Sequence, residues 1–192
     1  MIFVSGRDEM MSVVVLWASP NREGLTAECK NAAIKGIKES GFAAEDIQLN
    51  NLNIERCRVC GNGFGECLSK GHCAINDAFD GLYNKIIKAQ GLVIVSPVYW
   101  GDMSENLKSF LDRLRRCDFS ANHYLNKKPC EIIAAAGGSG DGAVRCLGLM
   151  EDTLKNMGVS VVERLPVTQF SRKYMMQAIE ASARELCARI GE

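Results

Sequence analysis

The chain has 192 residues, 47% hydrophobic and 24% charged, the make-up of a soluble α/β protein able to bury about 70% of its unfolded surface. Lys plus Arg and Asp plus Glu both number 23, so no net field exists to hold nucleic acid or an anionic bilayer. No apolar run approaches the ~20 residues of a membrane span, and Arg7, Asp8 and Glu9 ahead of the first apolar stretch are the wrong flank for a secretory leader. Nine cysteines in a chain with long helical segments point to a reducing cytoplasm rather than a disulfide scaffold.

Residues 1–10 fit no element well and read as an N-terminal extension: an edge strand, an ordered tail or a stretch ahead of a true start at Met10 or Met11. Ser12 to Ala18 is apolar and β-branched without alternation, the pattern of a strand buried on both faces. After a turn at residues 19–24, Leu25, Cys29, Ala32, Ala33 and Ile37 recur at helical spacing until Gly41. Glu45 to Leu49 forms a second strand. Residues 50–76 make a Cys- and Gly-rich loop with little periodicity, and a long loop of that kind usually carries function. Phe79, Leu82, Tyr83, Ile86 and Ile87 mark the next helix, and Gly91 to Ser96 a third buried strand. Met103, Leu107, Phe110, Leu111 and Leu114 form the inner stripe of another helix. Glu131 to Ala136 is a fourth strand. Val144, Leu147, Leu154 and Met157 give a helix, Val159 to Val162 a fifth strand, and Met176, Ile179, Ala183, Leu186 and Ile190 the last helix. Strands alternating with five helices make a parallel sheet covered on both faces, in one domain over 1–192.

In such sheets ligands bind beyond the carboxyl ends of the strands, which singles out the loops after the first, third and fourth. Ser19, Asn21, Arg22 and Thr26 lie between a strand and a helix N-terminus, where free N–H groups and the helix dipole suit a phosphate; they are also ordinary turn and cap formers. Pro97, Val98, Tyr99, Trp100 and Gly101 set two aromatics at the same edge, where a flat ligand can stack. Gly137, Gly138, Gly140 and Gly142 let backbone approach a ligand closely. Elsewhere, Cys29, Cys117, Cys130, Cys146 and Cys187 read as small buried hydrophobes. Cys57, Cys60, Cys67 and Cys73 cluster with spacing C-x2-C-x6-C-x5-C; such thiols hold a [4Fe–4S] cluster or zinc, or stay free. Neither His72 nor His123 has an evident partner. No cysteine is followed by the arginine a phosphatase loop needs.

Together these residues resemble the NAD(P)H-dependent FMN reductase and iron–sulfur flavoprotein branch of the flavodoxin-like superfamily. The resemblance runs from Ser12 onward and is most specific over residues 96–104, continuing through 107–113. It implies a flavodoxin-like three-layer sandwich of strand order 2-1-3-4-5, FMN as cofactor and NAD(P)H as co-substrate. Ser19, Gly24 and Thr26 match the phosphate loop, with Leu25 offering its backbone N–H, whereas Asn21 and Leu25 replace the usual arginine and asparagine. The ring then lies against residues 97–101, and the chemistry belongs to the flavin, so no catalytic residue is implied. Electrons go to a quinone, a flavin or a similar small acceptor, in a homodimer or homotetramer whose neighbouring subunit closes the site. The iron–sulfur branch carries a tighter cysteine motif, with a third cysteine near the place of Gly63; a cluster here implies electron exchange with a ferredoxin-like protein.

Overall fold

The computed structural model describes residues 10–120 and 123–191; the N-terminal extension expected at 1–10 lies, apart from Met10, outside the described residues. In chain order the elements are β1 (Ser12–Trp17), α1 (Leu25–Glu39), β2 (Ala43–Gln48), a 3-10 turn (Leu49–Asn51), α2 (Glu66–Lys70), α3 (Phe79–Lys88), β3 (Gly91–Pro97), α4 (Glu105–Ser120), β4 (Pro129–Ala136), α5 (Ala143–Lys155), β5 (Ser160–Thr168) and α6 (Arg172–Gly191). The five strands are all parallel, in the order β2-β1-β3-β4-β5. This is the expected flavodoxin-like sandwich.

Alternate residues of each central strand feed opposite cores, because successive side chains of a strand point to opposite faces. Val14 and Leu16 pack with α3, α4 and α5 through Phe79, Leu107, Phe110 and Leu147. Val13, Val15 and Trp17 pack with α1 and α6 through Cys29, Ala33, Ile179 and Ala183. Both faces of β1, β3 and β4 are therefore apolar, which explains their unbroken hydrophobic runs. Gly36 lets α1 and α6 touch: a Cβ there would stand 2.3 Å from the Glu180 carbonyl oxygen. All five singly placed cysteines are buried, as their periodic positions require. Among the described residues no helix is long and apolar enough to cross a membrane.

The structure departs from the sequence reading in several places. β2 starts at Ala43 rather than Glu45, because the Ala43 N–H donates to the Met11 carbonyl at 2.9 Å and Ser12 pairs with Ala43. β5 runs to Thr168, well past Val162; it is the sheet edge, and half-exposed residues break its apolar pattern. A sixth helix, α2, sits inside the cysteine loop and buries no residue, so it leaves no periodic signal. Val144 is exposed and Met157 lies beyond the end of α5, though buried.

Candidate functional site

β1, β3 and β4 are neighbours, so their carboxyl ends open on one edge. The Ala18 N–H bonds the Val95 carbonyl at 3.1 Å and the Val98 N–H bonds that of Ala135 at 3.0 Å, which carries the pairing into the loops. Beyond β3 and β4 lies an open cleft of about 630 Å³, within the usual range for a small-molecule site. Val98, Trp100, Gly101, Gly137, Gly138 and Gly140 line it, all of them read from sequence; Arg145 and Asp141 join them. The two loops meet at glycine: a Cβ on Gly142 would come within 2.5 Å of the Gly101 Cα. A cradle this close admits no side chain.

Tyr99 and Asp102 exchange backbone hydrogen bonds at 2.9 and 3.1 Å, closing a tight turn over Trp100 and Gly101. Their φ angles are 54° and 79°, the left-handed pair of a type I′ turn, which favours Asn-Gly over a bulky residue. Trp100 is thus held in a costly conformation with its indole fully in solvent, at 101% relative exposure. Backbone strain of this sort is concentrated at functional sites. Tyr99 is half-exposed and, like Pro97, does not line the cleft.

The loop after β1 borders that edge but forms no wall of the cleft. Gly24 caps α1 without any side-chain hydrogen bond, and the Glu28 N–H is the first to reach a carbonyl, that of Gly24 at 3.1 Å. The N–H groups of Leu25 and Thr26 therefore remain available to an anion. Asn21 and Ser19 serve the turn itself: Ser19 Oγ accepts from the Asn21 N–H at 3.2 Å, and Asn21 Oδ1 from the Glu23 N–H at 3.0 Å. Arg22 bonds Asn51 Oδ1 at 3.1 Å instead of facing the helix end. Gln48 Nε2 donates to the Ser19 carbonyl at 2.7 Å and pins the loop, a role the sequence did not announce. The uncapped helix end, the glycine cradle and the aromatic turn suit a planar ligand bearing one phosphate.

Cys57, Cys60, Cys67 and Cys73 all line a second, smaller cavity of about 20 Å³, room for roughly one water. α4 forms its floor and fastens the cysteine loop at three levels. Arg113 grips Asp77 through both carboxylate oxygens, at 2.6 and 2.9 Å, and donates to the Glu55 carbonyl at 2.8 Å. Arg116 donates to the Gly63 carbonyl and stacks over Phe64 at 4.8 Å. Ser120 Oγ donates to the Cys67 carbonyl. Within the loop, Val59 adopts φ 51°, a rare region for a β-branched residue, and its N–H reaches Cys57 Sγ at 3.5 Å. A fifth thiol, Cys117, shares the wall, but burial pushes it up to about 12, so it stays protonated.

Among the described residues, no three His, Cys, Asp or Glu side chains are placed to hold one metal ion. The thiolates of a [4Fe–4S] cluster sit on four separate irons and stand farther apart than the ligands of a single ion. Four thiols of one loop match such a cluster in kind and number, but the space of about 20 Å³ that they share is too small to hold one. Arg113 and Arg116 were missed from sequence as residues of this site. Arg113 stands three residues after Phe110 and four before Cys117, in line with the buried stripe, and that position was the signal.

The model of the NADPH-dependent FMN reductase family matches residues 11–171. An iron-sulfur flavoprotein of Methanosarcina thermophila is 27% identical over 155 residues, 79% of this chain and 77% of that protein. Another, from Methanocaldococcus jannaschii, is 34% identical over 105 residues, 55% of this chain and 52% of its own length; here the match spans about half of the relative. Among solved structures, an NAD(P)H:quinone oxidoreductase from Methanothermobacter marburgensis superposes with a TM-score of 0.75 at 20% identity, covering 92% of this chain and 96% of the other. An archaeal flavodoxin gives 0.66 at 13% identity, covering 95% and 100%. Both share the fold.

Proposed function

The chain belongs to the NADPH-dependent FMN reductase family, and on that premise we propose that it takes electrons from NAD(P)H and hands them through FMN to a small acceptor such as a quinone or a flavin. The supporting observation is the meeting of the β3 and β4 loops around a cleft of about 630 Å³ beside an uncapped helix end. Leu25 and Thr26 N–H groups hold the phosphate, with Ser19, Asn21, Arg22 and Gly24 shaping the loop. Val98, Trp100 and Gly101 would flank the ring, and Gly137, Gly138 and Gly140 would bring backbone amides to it. FMN supplies the hydride-accepting chemistry and can release electrons in pairs or singly. The residues of the cleft would orient the ring; no side chain is assigned a proton transfer. Exposed Trp100, at 101%, and Phe170, at 90%, suit a homodimer or homotetramer in which a second copy closes the site, and the compartment we propose is the cytoplasm.

Purification under argon, flavin analysis and titration with NADPH test this. Stoichiometric FMN that bleaches within seconds is the expected result. A colourless protein that takes up no FMN on incubation would overturn it.

The shared cavity of Cys57, Cys60, Cys67 and Cys73 favours a second reading. In it the loop holds a [4Fe–4S] cluster and the protein exchanges single electrons with a ferredoxin-like partner, as the names of the iron-sulfur relatives would suit. Iron and acid-labile sulfide near four per chain, with flavin reduced only through a protein donor, support it. Iron-free protein from anaerobic cells refutes it.

A further inference from the structure

Among the described residues lining the cleft beyond β3 and β4, only Asp141 and Arg145 carry charge. Arg145 stands in the first turn of α5 and lies along the β3 loop: a Cβ on Gly101 would meet its Cδ at 3.4 Å and its Nη1 at 3.8 Å. Its side chain forms no hydrogen bond or ion pair among the described residues, whereas Arg22 is committed to Asn51. The N-terminus of α5 opens on the same space. Its N-cap, Gly142, lines the cleft and has no side chain to cap the helix, and the Cys146 N–H is the first to reach a carbonyl, that of Gly142 at 2.8 Å. The N–H groups of Ala143, Val144 and Arg145 precede it, so the helix dipole and the guanidinium present charge of one sign to this end of the cleft. A phosphate held at the start of α1 makes no demand on that charge. α1 packs on one face of the sheet through Leu25 and Ala27, and α5 on the other through Cys146 and Leu147.

We propose that Arg145, backed by the N-terminus of α5, takes up the negative charge that the flavin gains on reduction and so raises the reduction potential of bound FMN. This rests on the FMN reading above. Hydride transfer from NAD(P)H carries two electrons and one proton to the ring and leaves the nicotinamide oxidised; the reduced flavin then holds one more negative charge than the oxidised one. A cation of the cleft therefore binds the reduced form more tightly, and a protein that favours one of two states moves their ratio by that difference in affinity. Arg145 is exposed, and an exposed charge acts weakly through water. A ligand that fills the cleft displaces that water and strengthens the attraction. Asp141, in the same lining, opposes it.

The test measures the potential of bound FMN in wild type, Arg145→Gln, Arg145→Lys and Asp141→Asn by anaerobic equilibration with a reference dye, and the Kd of oxidised FMN by fluorescence titration. Both side chains are exposed, so the substitutions leave the packing intact. Arg145→Gln lowers the ratio of reduced to oxidised flavin about tenfold at fixed potential, ~30 mV for two electrons, and leaves the Kd of oxidised FMN close to that of the wild type. Arg145→Lys, which keeps the charge, stays near the wild type. Asp141→Asn shifts the potential upward. An unmoved potential in Arg145→Gln overturns the proposal. If oxidised and reduced FMN are then weakened equally, Arg145 only shapes the cleft; if instead the KM for NADPH rises against that for NADH, Arg145 serves the phosphate of the co-substrate. Wild-type protein that takes up no FMN sinks the FMN reading and this proposal with it, whereas a flavin-loaded wild type with unmoved variants sinks the role of Arg145 alone.

Discussion

Glu131 gives the sharpest test of the packing described here. It lies in β4 with no exposed surface, accepts a hydrogen bond from Ser182 Oγ at 2.7 Å on Oε2 and has no partner for Oε1. Burial pushes the carboxyl up from 4.5 to about 7, with the Ser182 hydrogen bond pulling it down and Glu163, its partner in the β4–β5 register, pushing it further up. A carboxyl whose folded value exceeds its unfolded one is protonated preferentially in the native state. Its contribution is complete below pH ~4.5 and is lost as pH rises through about 7. At ~1.36 kcal/mol per unit of displacement, the loss over that window is about 3 kcal/mol. Glu131→Gln cannot titrate and should lack it. Urea unfolding of flavin-free protein and of Glu131→Gln, at intervals from pH 4.5 to 8, measures the difference between the two curves; every other carboxylate cancels. The wild type should fall relative to the variant by about 3 kcal/mol on this estimate, then run parallel above pH 7.5. Parallel curves across the whole range would show that Glu131 is ionised or hydrated in the native state, and the reasoning would fail.

Gly36→Ala drives a methyl against the Glu180 carbonyl oxygen, 2.3 Å from the ideal Cβ, and should cost about 3 kcal/mol as α1 and α6 separate; denaturant melts read it. Gly142→Ala forces a Cβ to within 2.5 Å of the Gly101 backbone at φ 82°. FMN affinity should drop at least tenfold, ~1.4 kcal/mol, by fluorescence titration, and unaltered binding would show that this cradle does not hold the flavin. Trp100→Gly relieves a left-handed backbone and should stabilise the flavin-free protein by about 1 kcal/mol, visible as a higher Tm. A lower Tm would mean the indole packs against something in solution.

The three central strands were legible because β1, β3 and β4 are buried on both faces, and a run such as Val13-Val14-Val15-Leu16 has no other reading in a chain of alternating elements. β5 was cut short for the opposite reason. Glu163, Arg164 and Pro166 interrupt it, and only an edge strand tolerates such residues. The loops flanking the cleft were legible through their glycines and aromatics, since both depart from what a plain connection uses. Arg22 was read as reaching toward a phosphate and bonds Asn51 in the folded chain; the two reaches look alike in sequence. Arg113 escaped because a single arginine in an amphipathic helix reads as solvated, although its place in line with Phe110 and Cys117 marked it as inward; that Asp77 and Glu55 meet it there only the folded chain defines.

Glu55 and Asp77 both end on the same guanidinium, so the stretch between them leaves and returns at one place, and its further ties, through Arg116 and Ser120, run to the same helix. The strands of the sheet supply none of these hydrogen bonds. Doubling the span of such a loop costs only ~0.6 kcal/mol in closure entropy. The wide interval between Cys60 and Cys67, which departs from the tighter spacing of the resemblance, is therefore inexpensive. A fold organised in this way tolerates a change in the length of its cysteine loop while the cleft beyond β3 and β4 stays as it is.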